Sequence, residues 1–197
     1  SIALLDKLPD SARYYAERAL DLAPYDLTAN RAWLRAVNQT AQPGSGAFPR
    51  AVEQALIRTD SSVYIALEAG LLALSTEHPN TARGYLTLAT NATRPPVETD
   101  DAAFGPHWID SPERHRQQQA RAYYQLGYLE GLNGRFDRAV ELTHQAITHD
   151  SSLVEAWVNL ISGYVALGDL KQAENALTQA EQLFPDNDLV QSMRQNR

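Results

Sequence analysis

A 34-residue register dominates this chain. Tyr123, Leu126, Gly134, Phe136, Ala139 and Ala146 recur in kind 34 positions later as Trp157, Leu160, Gly168, Leu170, Ala173 and Ala180. A shared offset over six positions of matching size and polarity marks an internal repeat. A repeat of this length is one supersecondary unit that buries its apolar face only by stacking on its neighbours. Each unit reads as two helices. The first covers about residues 120–132 and the second about 136–148, with Gly134 between them where a turn favours tolerance of positive φ. The next unit repeats the plan over about 153–167 and 170–183, and Pro185 then ends its second helix. Alanine at 139, 146, 173 and 180 allows helix axes to approach where a large side chain would hold them apart. The expected class is all-α, a solenoid of antiparallel helix pairs.

The first half carries fainter copies. Ala12, Ala16, Ala19, Leu20, Leu22 and Pro24 fit a second helix whose first helix would lie at or before Ser1, which suggests a piece of something longer. Residues 27–38, with Trp33, read as a first helix; Pro43-Gly44-Ser45-Gly46 follows as an over-long turn, and 49–58 as its partner. Ala66, Ala69, Gly70, Ala82, Leu86 and Ala89 fit the pattern again, with Glu77-His78-Pro79-Asn80 as the turn. The spacing breaks once: Ala82 and Ala139 hold equivalent places 57 residues apart. Ser111-Pro112-Glu113 looks like a helix start, so the helix carrying Tyr123 should begin near Pro112 and project about two extra turns. The division expected is degenerate units over 1–94, an inserted loop at 95–111, two well-matched units over 112–185 and a capping helix over 186–197. In the cap, Leu189, Val190 and Met193 would face inward and cover the exposed end of the stack.

Tyr123, Leu126-Gly127, Gly134, Ala139 and Ala146, then Trp157, Leu160, Tyr164, Gly168, Ala173 and Pro185, resemble the tetratricopeptide repeat. Ser151 stands where that family usually has proline, and Ile161 where it has glycine. The resemblance implies a right-handed superhelical solenoid whose first helices line a concave groove. It also implies a non-catalytic interaction module that binds a protein or peptide segment there. The alternative is a docking or regulatory part of a larger protein, such as a membrane-anchored bacterial cell-envelope or polysaccharide assembly protein.

Composition narrows the chemistry. There is no cysteine, which excludes disulfides, thiolate metal sites and a cysteine nucleophile. The net charge of -7 argues against a general nucleic-acid binder, and no apolar run is long enough to span a bilayer. No phosphate-binding loop or His-Glu-x-x-His pair occurs. His144 and His149 sit five apart, about 500° round a helix, and do not share a face. His107 with Asp100, Asp101 and Asp110 reads as a solvated acidic cluster. No catalytic residue, metal or cofactor is expected. Oligomeric state and compartment, cytoplasmic or periplasmic, stay open.

The repeat phase places Arg121, Tyr124, Gln125 and Tyr128 on the groove face of one first helix, and Glu155, Val158, Asn159 and Ser162 on the next. Upstream, Tyr64, Leu67, Glu68 and Leu71 take this position, as do Arg31 and Arg35 in the poorest unit. Arg121, Tyr124 and Tyr128 are the expected anchors, because Tyr and Arg bury much area under a polar tip. The Asn159 amide is placed to hold a partner backbone. The family's terminal-carboxylate clamp needs lysines that this chain lacks. In the loop, Phe104, His107 and Trp108 are candidates either to cover the apolar seam or to shape the groove.

Overall fold

The structure, a computed structural model, describes residues 9–42, 44–92 and 112–195. Among these residues it is wholly helical, with ten helices and no strand. The chain divides into two compact units, Ser1–Ala92 and Thr93–Arg197. The loop residues Phe104, His107 and Trp108 lie outside the described residues.

Unit 1 holds α1 (Pro9–Leu22), α2 (Leu27–Thr40), α3 (Ala47–Arg58), α4 (Val63–Ser75) and α5 (Pro79–Thr90). Their limits follow from local chemistry. The Asp26 carboxylate accepts from the Ala29 N–H and starts α2. Buried Asn30 donates from Nδ2 to the Pro24 and Asp26 carbonyls and ties the preceding turn to the helix. Pro79 occupies the first turn of α5, where its missing N–H costs nothing. The over-long turn ends at Gly46 with φ 66°, and α3 begins at Ala47, before the expected Pro49. Leu34, Val37, Val52, Ala55, Ile65 and Ala69 form the main core, and the Arg58 guanidinium stacks 4.9 Å from the Trp33 ring centre beside it.

Unit 2 holds α6 (Pro112–Leu132), α7 (Phe136–His149), α8 (Val154–Ala166), α9 (Leu170–Leu183) and α10 (Asp188–Gln195). The first helix α6 is 21 residues long against 13 for α8, so the helix carrying Tyr123 is extended back to Pro112. Gly134 and Gly168 take φ 72° and 75° in the two turns. The Trp157 indole is buried and donates to the Ser151 carbonyl at 3.0 Å, which satisfies its one polar group. Val190 is fully buried against Trp157, Ile161 and Leu177, and Met193 packs beside it. Leu189 is exposed instead, so the inner face of α10 is narrower than its three apolar residues suggest.

In each unit the helices pack on their sequence neighbours and also by alternation. The backbones of α6 and α8, and of α2 and α4, approach closely, whereas among the described residues those of α7 and α9, and of α3 and α5, do not; α3 and α5 meet only through side chains, the Phe48 and Tyr85 rings edge to face at 6.3 Å. First helices that approach more closely than second helices give each unit an inner side made of first helices.

Glycine sets the closest approaches. A Cβ on Gly127 would sit 2.7 Å from Thr143 Oγ1 and 3.1 Å from the Ala139 carbonyl oxygen; one on Gly163 would meet Val140 at 2.7 Å. By contrast, the space around Gly84 is open. Gly127→Ala is therefore expected to destabilise unit 2 by about 1–3 kcal/mol, while Gly84→Ala stabilises unit 1 by roughly 0.5–1 kcal/mol. Denaturant unfolding of both variants with helical circular dichroism reads the two signs.

Candidate functional site on the first-helix faces

In unit 1 the structure brings together three of the expected residues. Arg31 and Arg35 lie one turn apart on α2 and both reach Glu68 on α4. Arg31 donates from Nε and Nη2 to Glu68 Oε2 at 3.0 and 2.8 Å, and Arg35 donates from Nη2 to the same oxygen at 3.2 Å and from Nε to Oε1. The Glu68 side chain is only 6% exposed, so the expectation that it faces a partner is corrected. It is an internal anchor that fixes the two arginines. Burial is the largest influence on its carboxyl and pushes its pKa up. The hydrogen bonds from Arg35 and Arg31, with their charges, together outweigh burial and hold it below the ordinary 4.5. Tyr64 is half-buried, Leu67 is buried and Leu71 is exposed.

In unit 2 the predicted positions of α6 and α8 converge. Tyr124 is half-buried and stands 6.5 Å, ring centre to ring centre, from the exposed Tyr128. Burial raises the Tyr124 hydroxyl pKa, and the charge of Glu155 on α8 and then Tyr128 raise it further. Arg121 and Glu155 are exposed, and Gln125 is half-buried. Tyr123, the repeat-marking aromatic, instead faces the second helix, 5.2 Å from the His149 ring. Burial, then the charges of Arg116 and His115, lower the His149 pKa, so the added N-terminal turns of α6 run near the end of α7.

Asn159 shares its amide with the helix behind it. Its Nδ2 donates to Thr143 Oγ1 at 2.9 Å, beneath the inner face. The hydroxyl proton of Thr143 goes to the Ala139 carbonyl at 2.7 Å, so Thr143 can only accept from Asn159. That fixes the amide orientation. Asn159 keeps its carbonyl oxygen as an acceptor and its second N–H as a donor.

Beside Asn159 lies a cavity of about 160 Å³, lined by Tyr128, Gly131, Leu132, Phe136, Ala139, Asn159, Ser162 and Gly163. Sequence phase named Tyr128, Asn159 and Ser162 but missed the cavity. Its only sequence signal was glycine at 131 and 163 inside helices. A larger cavity of about 480 Å³ opens in unit 1 where the over-long turn passes α4 and α5, between Phe48, Ala73 and His78. Among the described residues no three His, Asp or Glu side chains gather as a metal site, and no helix is long and apolar enough to cross a membrane.

Comparison with known proteins agrees with the helix-pair fold. Residues 132–196 match the family profile of the tetratricopeptide repeat. No curated protein sequence matches the chain. Among solved structures, the MamA protein aligns at 15% identity and TM-score 0.59, over 90% of this chain and 83% of its own. YrrB, described as a TPR protein with an unusual peptide-binding site, aligns at 18% identity and TM-score 0.58, over 98% and 88%. PilF of Pseudomonas aeruginosa aligns at 12% identity and TM-score 0.60, over 96% and 83%. At these identities the likeness is one of fold: the chain has the all-α helix-pair architecture of tetratricopeptide-repeat solenoids.

The Glu68 cluster makes a pH prediction. Its folded-state pKa lies below the unfolded value, so the stabilisation is complete above the unfolded value and disappears as pH falls through the folded one. Wild-type stability should fall more steeply than that of Glu68→Gln as pH drops from roughly 6 to 3. Near neutrality that variant should be about 1–3 kcal/mol less stable. Denaturation midpoints measured across this range check both statements.

Proposed function

We propose that this chain is a non-catalytic protein-interaction module that holds a protein or peptide segment on the inner, first-helix face of unit 2. One observation carries the reading. α6 and α8 present Tyr128, Asn159 and Ser162 at an uncharged cavity, with Tyr124 beside Tyr128, where first helices meet. Two tyrosines with apolar rings and polar tips, next to an oriented amide, suit a polypeptide that offers both side chains and backbone N–H groups. Arg121 and Glu155, exposed on the same helices, give the face both signs of charge and so a means of setting register. The peptide-binding site named for YrrB supports the reading by analogy of fold. The net charge of -7 makes nucleic acid an unfavourable partner.

In unit 1, Arg31, Arg35 and Tyr64 occupy the corresponding face, with Glu68 holding the arginine heads. They would make a second contact area for the same class of partner.

The test is site-specific photocrosslinking. A photoreactive residue at Tyr128 or Ser162 should capture a discrete partner from cells, whereas one at exposed Gln145 on α7 or Thr178 on α9 should not. An Arg121→Glu/Tyr128→Ala double variant should recover at least roughly tenfold less of that partner with unchanged helical content. Equal capture from α7 and α9, or equal recovery by the double variant, would place the contact elsewhere.

A further inference from the structure

The cavity between α6 and α8 has a definite size, floor and polarity, and these narrow what can enter it. Gly127 and Gly163 are explained by packing, since a Cβ at either would strike Thr143 or Val140. Gly131 has no such reason. Its nearest neighbour to an added Cβ is the Ala139 methyl at 3.8 Å, an ordinary contact. Glycine within a helix costs up to about 1 kcal/mol relative to alanine. Here its missing side chain leaves room that the fold does not fill.

None of the eight lining residues carries a formal charge. An ionised side chain entering this space would lose hydration without gaining a partner. The volume, about 160 Å³, is close to that of an engineered protein cavity which holds one benzene-sized molecule. Two acceptor oxygens stand at the cavity. Asn159 directs one N–H of its amide at Thr143, which leaves Oδ1 as an acceptor, and Ser162 donates its hydroxyl proton to the Val158 carbonyl at 2.9 Å, which leaves Oγ as an acceptor. The second Asn159 N–H and the Tyr128 hydroxyl are donors beside the same apolar hole.

We infer that this cavity is a specificity pocket for one branched aliphatic residue of a partner polypeptide, whose backbone N–H is received by Asn159 Oδ1 or Ser162 Oγ. The inference rests on the reading that the first-helix face of unit 2 binds a polypeptide, and it names the residue class which that face selects. An acidic or basic side chain is excluded by the uncharged lining, and alanine leaves the space mostly empty.

The experiment uses the full chain, isotopically labelled, titrated with N-acetyl-leucine-N′-methylamide and, in parallel, the alanine and glutamate analogues. Amide shifts are read by NMR. The leucine compound should perturb Tyr128, Gly131, Asn159, Ser162 and Gly163 together and bind about tenfold more tightly than the alanine compound. Gly131→Leu, which supplies the occupant from within the chain, should weaken the leucine compound by at least roughly tenfold, and Gly131→Ala by a smaller factor. Neither variant should unfold at a lower temperature than wild type, because both residues are better helix formers than glycine. Equal affinity for the three compounds, shifts at other residues, or undiminished leucine binding by folded Gly131→Leu would each overturn the pocket. Photocrosslinking at Tyr128 reports on the face as a whole. A partner captured there without leucine selectivity would sink the pocket and leave the proposed function standing.

Discussion

Close approach of helix axes is the constraint from which the rest of this structure follows. Gly127 lets α6 settle on the Ala139–Thr143 surface of α7, and Gly163 lets α8 settle on Val140. Gly70 does the same for α4 against Leu86 of α5, where a Cβ would come within 2.7 Å of the leucine side chain. Fully buried alanines at 82, 89, 146 and 180 complete these seams. Small residues at such contacts exchange side-chain volume for short axial distance. With the hairpins held this tightly, their first helices approach across repeats more closely than their second helices do, and an inner face results.

Much of this was legible in the chain because the repeat samples the same packing problem twice. A position that must be small in one hairpin must be small in the next, so Ala139 and Ala173 reveal each other. Proline and glycine gave the turns, since their backbone preferences are local and need no tertiary context. The α10 cap was readable for the same kind of reason: Val190 and Met193 share an apolar face on an otherwise polar helix. Leu189 was misplaced because an eight-residue helix meets its neighbour along a line too thin to bury three residues.

The site was less legible, and the failures have physical causes. Helical phase tells which way a Cβ points, not what a long side chain does after leaving the backbone. Glu68 has the phase of a groove residue, yet the two guanidiniums from α2 fold over it and close it off. Asn159 has the phase of a backbone clamp, yet one of its two amide N–H groups is used beneath the surface. Both outcomes depend on residues far away in sequence: 33 and 37 positions for the arginines, 16 for the threonine. A void is harder still to read, because it is recorded only as an absence at Gly131.

The Thr143–Asn159 pair carries a wider consequence. Thr143 is fully buried on α7, a helix of the outer layer, and spends its lone proton on its own backbone. That choice decides which end of an amide on a different helix looks outward. The inner wall thus takes its polarity from a residue no visiting molecule would ever meet. Repeats of this design can change what they recognise through hidden hydroxyls in the layer behind, while every surface residue keeps its identity.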